Sequence, residues 1–248
     1  MHFPFDFVMF GLNLHVHFIT DVLSTLIGMQ FYYRSKVADN VSESKRVWIL
    51  IGAIFGALIG SRMLAAMENP DMFLNPPSIL YFYVNKTIIG GIAGGIIGIE
   101  IAKKLLFIKN RTGDRVVVPL MVAILIGRAG CFLTGVTDGT VGNVCNYFWC
   151  FDQGDGMSRH PTSLYEIFFL LILLPIFYFN IQRKRFLPGV YFRIFIILYF
   201  SFRFFIEFLK PAMPVFLNLS AIQIVCISFV LYYIFDIIKT WEIHKLKI

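Results

Sequence analysis

The sequence predicts an all-α integral membrane protein, a bundle of about seven transmembrane helices with its N-terminus outside and its C-terminus in the cytoplasm. Three observations predict it. Of the 248 residues, 58% are hydrophobic and 15% charged, which is too apolar for an ordinary soluble domain. Apolar stretches of about 20 residues recur, each long enough to cross ~30 Å of hydrocarbon as a helix, whereas the period-two alternation of a β-barrel is absent. The basic residues fall in short blocks between these stretches, concentrated in alternate connections.

The spans are placed at 13–33, 47–67, 87–108, 116–135, 163–181, 188–209 and 219–238, within one polytopic domain covering 1–248. Arg34, Lys36, Lys45 and Arg46 lie in the first connection, Lys103, Lys104, Lys109, Arg111 and Arg115 in the third, Arg183, Lys184 and Arg185 in the fifth, and Lys239, Lys245 and Lys247 in the tail. The other connections hold only Lys86, Arg159 and Lys210. Positive residues stay on the cytoplasmic side, so the odd connections and the C-terminus face inward. Two long segments then face outward, about 68–86 with its Asn-Pro turns and about 136–162, rich in Gly, Asp and Asn. Asp6, not a basic region, precedes the first span and no small-residue cleavage site follows it, so the N-terminus reads as mature.

The net charge of +7 suggests no nucleic-acid partner, because no basic stripe with interleaved aromatics accompanies it. Gly90, Gly91, Gly94, Gly95 and Gly98 of the third span follow a small-xxx-small pattern that lets another helix approach closely in lipid. They form no nucleotide loop, since no strand precedes them. Inverted repeats and broken helices, which a small transporter would show, are not detectable.

The polar residues within the spans carry the functional signal. Arg62, Arg128 and Arg203 each lie late in a span that runs outward, and Tyr165 and Glu166 begin the fifth span, which runs inward, so all five share the outer half. Arg159 and His160 sit just outside that layer. An arginine within a span costs on the order of 2.5 to 3.5 kcal/mol on insertion scales, so the set calls for partners, a wet cavity or an anionic ligand such as a lipid phosphate. The alternative is that Arg62 and Arg203 snorkel to the interface or pair with Glu166 and Glu207. Tyr199, Arg203 and Glu207, spaced four apart, share one stripe of the sixth helix. Arg193, nearer the inner end, is expected to snorkel, and Glu100 to pair with Lys103 or Lys104. Cys145 and Cys150 share the second outer segment, where an oxidising compartment would allow a disulfide. Cys131 and Cys226 read as buried thiols, with a reactive Cys131 beside Arg128 as the alternative. Histidines and carboxylates lack metal-ligand spacing, so no metal and no cofactor are expected.

Gly127-Arg128-Ala129-Gly130-Cys131-Phe132-Leu133-Thr134-Gly135 resembles the signature Gly-Arg-x-Gly-Asn-Phe-x-Asn-Gly of the prolipoprotein diacylglyceryl transferases. Arg159-His160-Pro161-Thr162-Ser163-Leu164-Tyr165-Glu166 is similar to that family's Arg-His-Pro-Ser-Gln-Leu-Tyr-Glu, and Tyr199, Arg203 and Glu207, followed by Pro211, match its Tyr-x3-Arg-x3-Glu stripe. Gly60-Ser61-Arg62-Met63 and Phe3-Pro4 with Asp6 agree more loosely. The chain departs from the family at Ile89, where the family has a histidine before Gly-Gly, at Cys131 and Thr134 in place of asparagines, and at Val136 in place of a glutamate, with Asp138 two residues on. The family's Trp-Tyr of the first span is not reproduced in His17-Phe18-Ile19.

The resemblance implies a multi-pass protein of the bacterial inner membrane with a periplasmic N-terminus. It implies transfer of the diacylglyceryl group of phosphatidylglycerol to the thiol of a prolipoprotein lipobox cysteine, with anionic phospholipid, preprolipoprotein and membrane as partners. The departures leave a non-catalytic paralogue that binds anionic phospholipid as the alternative. The catalytic candidates are Arg128, Arg203, Glu207 and Tyr199, with the two arginines at the leaving phosphate. The substrate-binding candidates are Arg62, Gly127, Gly130, Asp138, Arg159, His160, Tyr165 and Glu166. Glu207, Asp138 and His160 are the candidates for the base that takes the thiol proton.

Overall fold

The computed structural model describes residues 6–9, 12–35, 37, 39, 41–69, 85–183, 186–211 and 213–245, with side chains from Val16 to Thr240. Phe3-Pro4, the side chain of Asp6, Lys36, most of the 68–86 segment, Lys184, Arg185 and Lys247 lie outside the described residues.

Seven long helices follow one another among the described residues: α1 (Val16–Arg34), α2 (Glu43–Glu68), α3 (Ile88–Leu105), α4 (Asp114–Thr134), α5 (Thr162–Gln182), α6 (Val190–Glu207) and α7 (Ala221–Lys245). Each lies on one of the predicted spans. Four are long and apolar enough to cross a membrane by length and composition: α2, α4 extended to Asp138, α5, and α7 as far as Thr240. The others carry polar residues along their length. Three charges fall in each of α3 (Glu100, Lys103, Lys104) and α6 (Arg193, Arg203, Glu207), and α1 holds His17, Asp21 and Gln30. The first span begins later than its apolar pattern suggests. Leu12–His15 form strand β2, paired antiparallel with β1 (Asp6–Met9) in the register Asp6 to His15, and Asn13 and His15 are weak helix formers.

The chain folds as two compact units. The first comprises residues 1–38, 112–192 and 209–211. Its α1 packs along α4, and the contacts are small: a Cβ added at Gly28 would lie 3.1 Å from the Ala123 Cβ, and one at Gly130 would lie 2.7 Å from the Thr20 Cβ. Asp114, in the first turn of α4, accepts hydrogen bonds from the backbone N–H groups of Gly189 (2.6 Å) and Phe192 (2.9 Å). It thereby supplies the acceptor that the orphan donors at the start of α6 require. Between α4 and α5 run a 3-10 turn (Gly135–Asp138) and a short hairpin, β3 (Phe151–Asp152) against β4 (Ser158–Arg159). Cys145 and Cys150 are joined there by a disulfide.

The second unit comprises residues 39–111, 193–208 and 212–248. Its centre is a glycine seam between α2 and α3. Gly52, Gly56 and Gly60 of α2 face Gly98, Gly94 and Gly90 of α3 in antiparallel order, each backbone filling the space a partner's Cβ would need; a Cβ at Gly52 would sit 2.7 Å from the Gly98 carbonyl oxygen. The stripe on α3 is therefore a packing face as expected, with a matching stripe on α2 that completes it. A capping box begins α7: the Ser220 N–H donates to Gln223 Oε1 (2.9 Å) and the Gln223 N–H to Ser220 Oγ (3.2 Å). Glu68 Oε1 accepts from the Ile222 N–H at 2.8 Å, a carboxylate at the positive end of the helix.

The seam makes a direct prediction. Gly56→Val should lower the thermal stability of the detergent-solubilised protein by about 1 to 3 kcal/mol, the usual cost of overpacking. Gly91→Ala should be nearly neutral, since its added Cβ has nothing nearer than 3.7 Å. Both are read from melting curves followed by circular dichroism.

Candidate functional site

In the first unit the last two turns of α4 bring Arg128 against the first turn of α5. Arg128 Nε lies 2.9 Å from Glu166 Oε2; the arginine is 4% exposed and the glutamate 0%. Glu166 thus pairs with Arg128. Burial at this level makes the partners interdependent, because removal of one leaves an uncompensated ion at a cost of about 3 to 5 kcal/mol. The flanking glycines differ in role. Gly130 packs on Thr20, whereas a Cβ at Gly127 would have nothing within 4 Å, so Gly127 leaves open space beside the arginine.

One turn beyond Arg128 a second polar cluster forms, and its principal member was not among the site candidates. His17, in the first turn of α1, has Nδ1 3.2 Å from Asp21 Oδ2 and Nε2 2.9 Å from Asp138 Oδ1. The same Nε2 lies 3.7 Å from Cys131 Sγ, and Cys131 Sγ lies 3.9 Å from Arg128 Nη1. Asp138 also accepts from Thr140 Oγ1 at 2.5 Å. Nothing in linear spacing links position 17 to 131 and 138. The one available signal was His17 and Asp21 four residues apart on one helix face.

The segment between α4 and α5 carries the remaining candidates of this unit. His160 Nδ1 and Tyr165 Oη are 3.1 Å apart. Arg159 donates from Nε to Asp155 Oδ2 at 2.7 Å and from Nη1 to the Gly142 carbonyl at 3.4 Å, a bracing role for the loop. Partial desolvation raises the Asp155 carboxyl, but the Arg159 bond and charge together with backbone N–H bonds, that of Met157 among them, outweigh it, and the group is held below the usual carboxylate range. That bridge is complete above the unfolded carboxylate pKa and is lost as pH falls through the lowered one. Asp152 Oδ1 accepts from the N–H groups of Gly154, Asp155 and Gly156 at 2.8, 3.1 and 3.0 Å, closing the turn between the strands. Of the other cysteines, Cys131 and Cys226 are buried free thiols.

In the second unit Arg203 Nη2 lies 3.4 Å from Glu207 Oε2, one turn on along α6, and both are buried. Tyr199 is fully buried and stacks on Phe195, with ring centroids 5.6 Å apart. The stripe of Tyr199, Arg203 and Glu207 therefore faces protein, as its spacing indicates. Arg62 donates from Nη1 to Ser61 Oγ at 2.8 Å. Lys103 pairs with Glu100 at 2.8 Å. Arg193 departs from expectation: it does not snorkel but is 2% exposed, with Nε 2.9 Å from Asp236 Oδ2 and Nη1 donating to Thr240 Oγ1 at 3.2 Å. Asp236 of α7 supplies the countercharge that keeps it inside.

With this geometry in place, comparison with known proteins is informative. A family model described as prolipoprotein diacylglyceryl transferase matches residues 4–239. The phosphatidylglycerol–prolipoprotein diacylglyceryl transferase of Campylobacter hominis is 30% identical over 233 residues, covering 85% of this chain and 80% of its own. That of Campylobacter jejuni is 28% identical over 219 residues, covering 82% and 79%. That of Clostridium novyi is 28% identical over 251 residues, covering 96% and 95%. The match runs through both strings that Arg128 and Glu166 join and through the α6 stripe, and the chain belongs to the prolipoprotein diacylglyceryl transferase family.

Proposed function

We propose that this chain transfers the diacylglyceryl group of phosphatidylglycerol to the thiol of a lipobox cysteine in a preprolipoprotein, at the outer side of the bacterial inner membrane. The observation that carries the reading is the Arg128–Glu166 pair: two sequence strings typical of the family, 38 positions apart from arginine to glutamate, meet at 2.9 Å in a buried contact. The names of the relatives favour transfer over the non-catalytic alternative, which rests chiefly on Ile89.

In this reaction the glyceryl carbon–oxygen bond to phosphate breaks and a carbon–sulfur bond forms. The phosphodiester carries one negative charge and the departing glycerol phosphate two, so cations placed at the leaving oxygen stabilise the transition state more than the ground state. Arg128 and Arg203 are the residues proposed for that charge. Glu166 is proposed to position Arg128 through the close contact at Nε, so that the guanidinium is held in place to meet phosphate oxygens. Gly127 leaves room beside it. Glu207, in contact with Arg203 Nη2 from one turn away, is proposed to hold that arginine, and Tyr199 packs on the same stripe. Arg62, Arg159, His160, Tyr165 and Asp138 are proposed to line the substrate region, with Gly130 setting the approach of α1 to α4.

The membrane arrangement follows the charge distribution: seven spans in one membrane domain, the N-terminus and residues 136–162 periplasmic, the C-terminus cytoplasmic. Exposed Tyr147, Phe148 and Trp149 beside the disulfide suit the headgroup region, where aromatic rings concentrate. A phosphatase reporter fused after Ile248 should be inactive in intact cells while a cytoplasmic reporter at the same site is active; periplasmic activity would overturn the orientation.

Incubation of the purified protein with labelled phosphatidylglycerol and a lipobox peptide should give a peptide heavier by one diacylglyceryl group, detected by mass spectrometry. An unmodified peptide would refute the reading. Arg128→Lys and Arg203→Lys keep the charge but lose the planar fork. Each should lower turnover roughly ten- to a hundred-fold, the equivalent of one charge-assisted contact of about 1.5 to 3 kcal/mol, without loss of helical content.

A further inference from the structure

Transfer to a thiol leaves one requirement that the arginines do not meet, because the acceptor sulfur must lose its proton before it attacks. From the cluster around His17 we infer that His17, Cys131 and Asp138 form a zinc-type metal site whose open fourth position takes the acceptor thiol. The inference rests on the proposed transfer for its role, though not for the existence of the site.

The donor set comes first. His17 Nε2, Cys131 Sγ and Asp138 Oδ1 converge from α1, α4 and the 3-10 turn, with the three ligand atoms all within 4.8 Å of one another. Nε2 is 3.7 Å from the sulfur and 2.9 Å from the carboxylate oxygen. A tetrahedral zinc with bonds of about 2.0 to 2.3 Å holds its donors roughly 3.3 to 3.7 Å apart; the His17–Cys131 spacing already suits it, the His17–Asp138 contact has to open, and the remaining pair lies within 4.8 Å. One nitrogen, one oxygen and one sulfur suit a borderline ion such as zinc; magnesium and calcium require oxygen donors.

Each donor is also held from behind. Asp21 Oδ2 lies 3.2 Å from His17 Nδ1, the arrangement in which a carboxylate fixes the tautomer that directs Nε2 to a metal. Thr140 donates to the other oxygen of Asp138 at 2.5 Å, and Arg128 Nη1 faces the Cys131 sulfur at 3.9 Å. The charge closes as well. A thiolate and a carboxylate neutralise the divalent ion itself, so the three-ligand centre carries no net charge before the acceptor sulfur joins it. His17 and Asp138 keep 22% and 10% of their side-chain surface exposed, which leaves access for a fourth ligand.

Three protein ligands with an open position describe a catalytic, not a structural, zinc site. A thiol that coordinates the ion sheds its proton to water. Its sulfur electron pair then forms the bond to the glyceryl carbon while the carbon–oxygen bond breaks and its pair departs on the phosphate of glycerol phosphate. Arg128, one turn from Cys131, belongs both to the proposed phosphate contact and to the sulfur's surroundings, so the two halves of the reaction adjoin.

The test measures metal first and transfer second. The protein, purified in detergent without chelator and then equilibrated with zinc and desalted, should hold about one zinc per chain by elemental mass spectrometry. Cobalt should give a sulfur-to-metal charge-transfer band. Cys131→Asn and Asp138→Asn should each lower zinc retention by at least ~tenfold and abolish or shift the band, whereas Cys226→Ala, a buried thiol of the other unit, should change neither. Chelated protein should lose peptide modification and regain it with zinc. Absence of zinc and of the cobalt band from wild type, or zinc that persists in both variants, would overturn the site even where transfer is robust. Transfer that is equal in chelated and zinc-loaded protein would overturn its role. Zinc held at the three residues with no transfer in any preparation would uphold the site and refute the transferase reading instead.

Discussion

Ionic groups buried in an apolar bundle must find opposite charge, and this constraint shapes the buried polar pairs among the described helices. Arg128 meets Glu166, Arg203 meets Glu207, and Arg193 meets Asp236. Each pair is itself a cost, since desolvation of two ions in a low dielectric consumes most of their mutual attraction. Apolar residues of equal volume would serve the fold as well or better. That such pairs persist on α4, α5 and α6 is the physical reason to assign them a task beyond stability.

The same constraint explains how the helices divide their labour. Four segments have the hydropathy and length of membrane spans, and among the others α3 and α6 each hold three charges within eighteen residues. Helices of that kind need close, specific neighbours because lipid offers no hydrophobic drive for their association. In the second unit the paired glycines of α2 and α3 provide the close approach, backbone against backbone. In the first, Gly28 and Gly130 seat α1 on α4, and the seating at Thr20 places His17, one turn earlier on α1, beside Cys131. Packing by small residues therefore fixes the approach of α1 to α4 on which the proposed cluster depends, since a Cβ at Gly130 would collide with Thr20.

Much of this was legible in the residues. Seven apolar segments located seven helices, because hydrophobic length is read directly from composition. The four-residue spacing of Tyr199, Arg203 and Glu207 foretold one buried stripe, and Gly90 to Gly98 foretold a packing face. The partner stripe Gly52, Gly56 and Gly60 is visible in retrospect by the same rule. What could not be read was pairing between distant positions. Glu166 had more than one candidate arginine, Arg193 had no visible partner until α7 brought Asp236, and His17 lay more than a hundred residues from Cys131. Local periodicity carries no information about such contacts; they depend on which helices become neighbours.

The central claim is the proposal that Arg128 and Arg203 receive a phosphate-bearing lipid of net negative charge. The most direct measurement is native mass spectrometry of the wild-type protein released from vesicles of equal phosphatidylglycerol and phosphatidylethanolamine, with acyl chains matched. The two lipids then differ only in the headgroup, and a site built on arginine forks discriminates by charge. Retention of phosphatidylglycerol well in excess of its share of the bilayer is the expected result, and retention of the two lipids in proportion to their abundance would contradict the account.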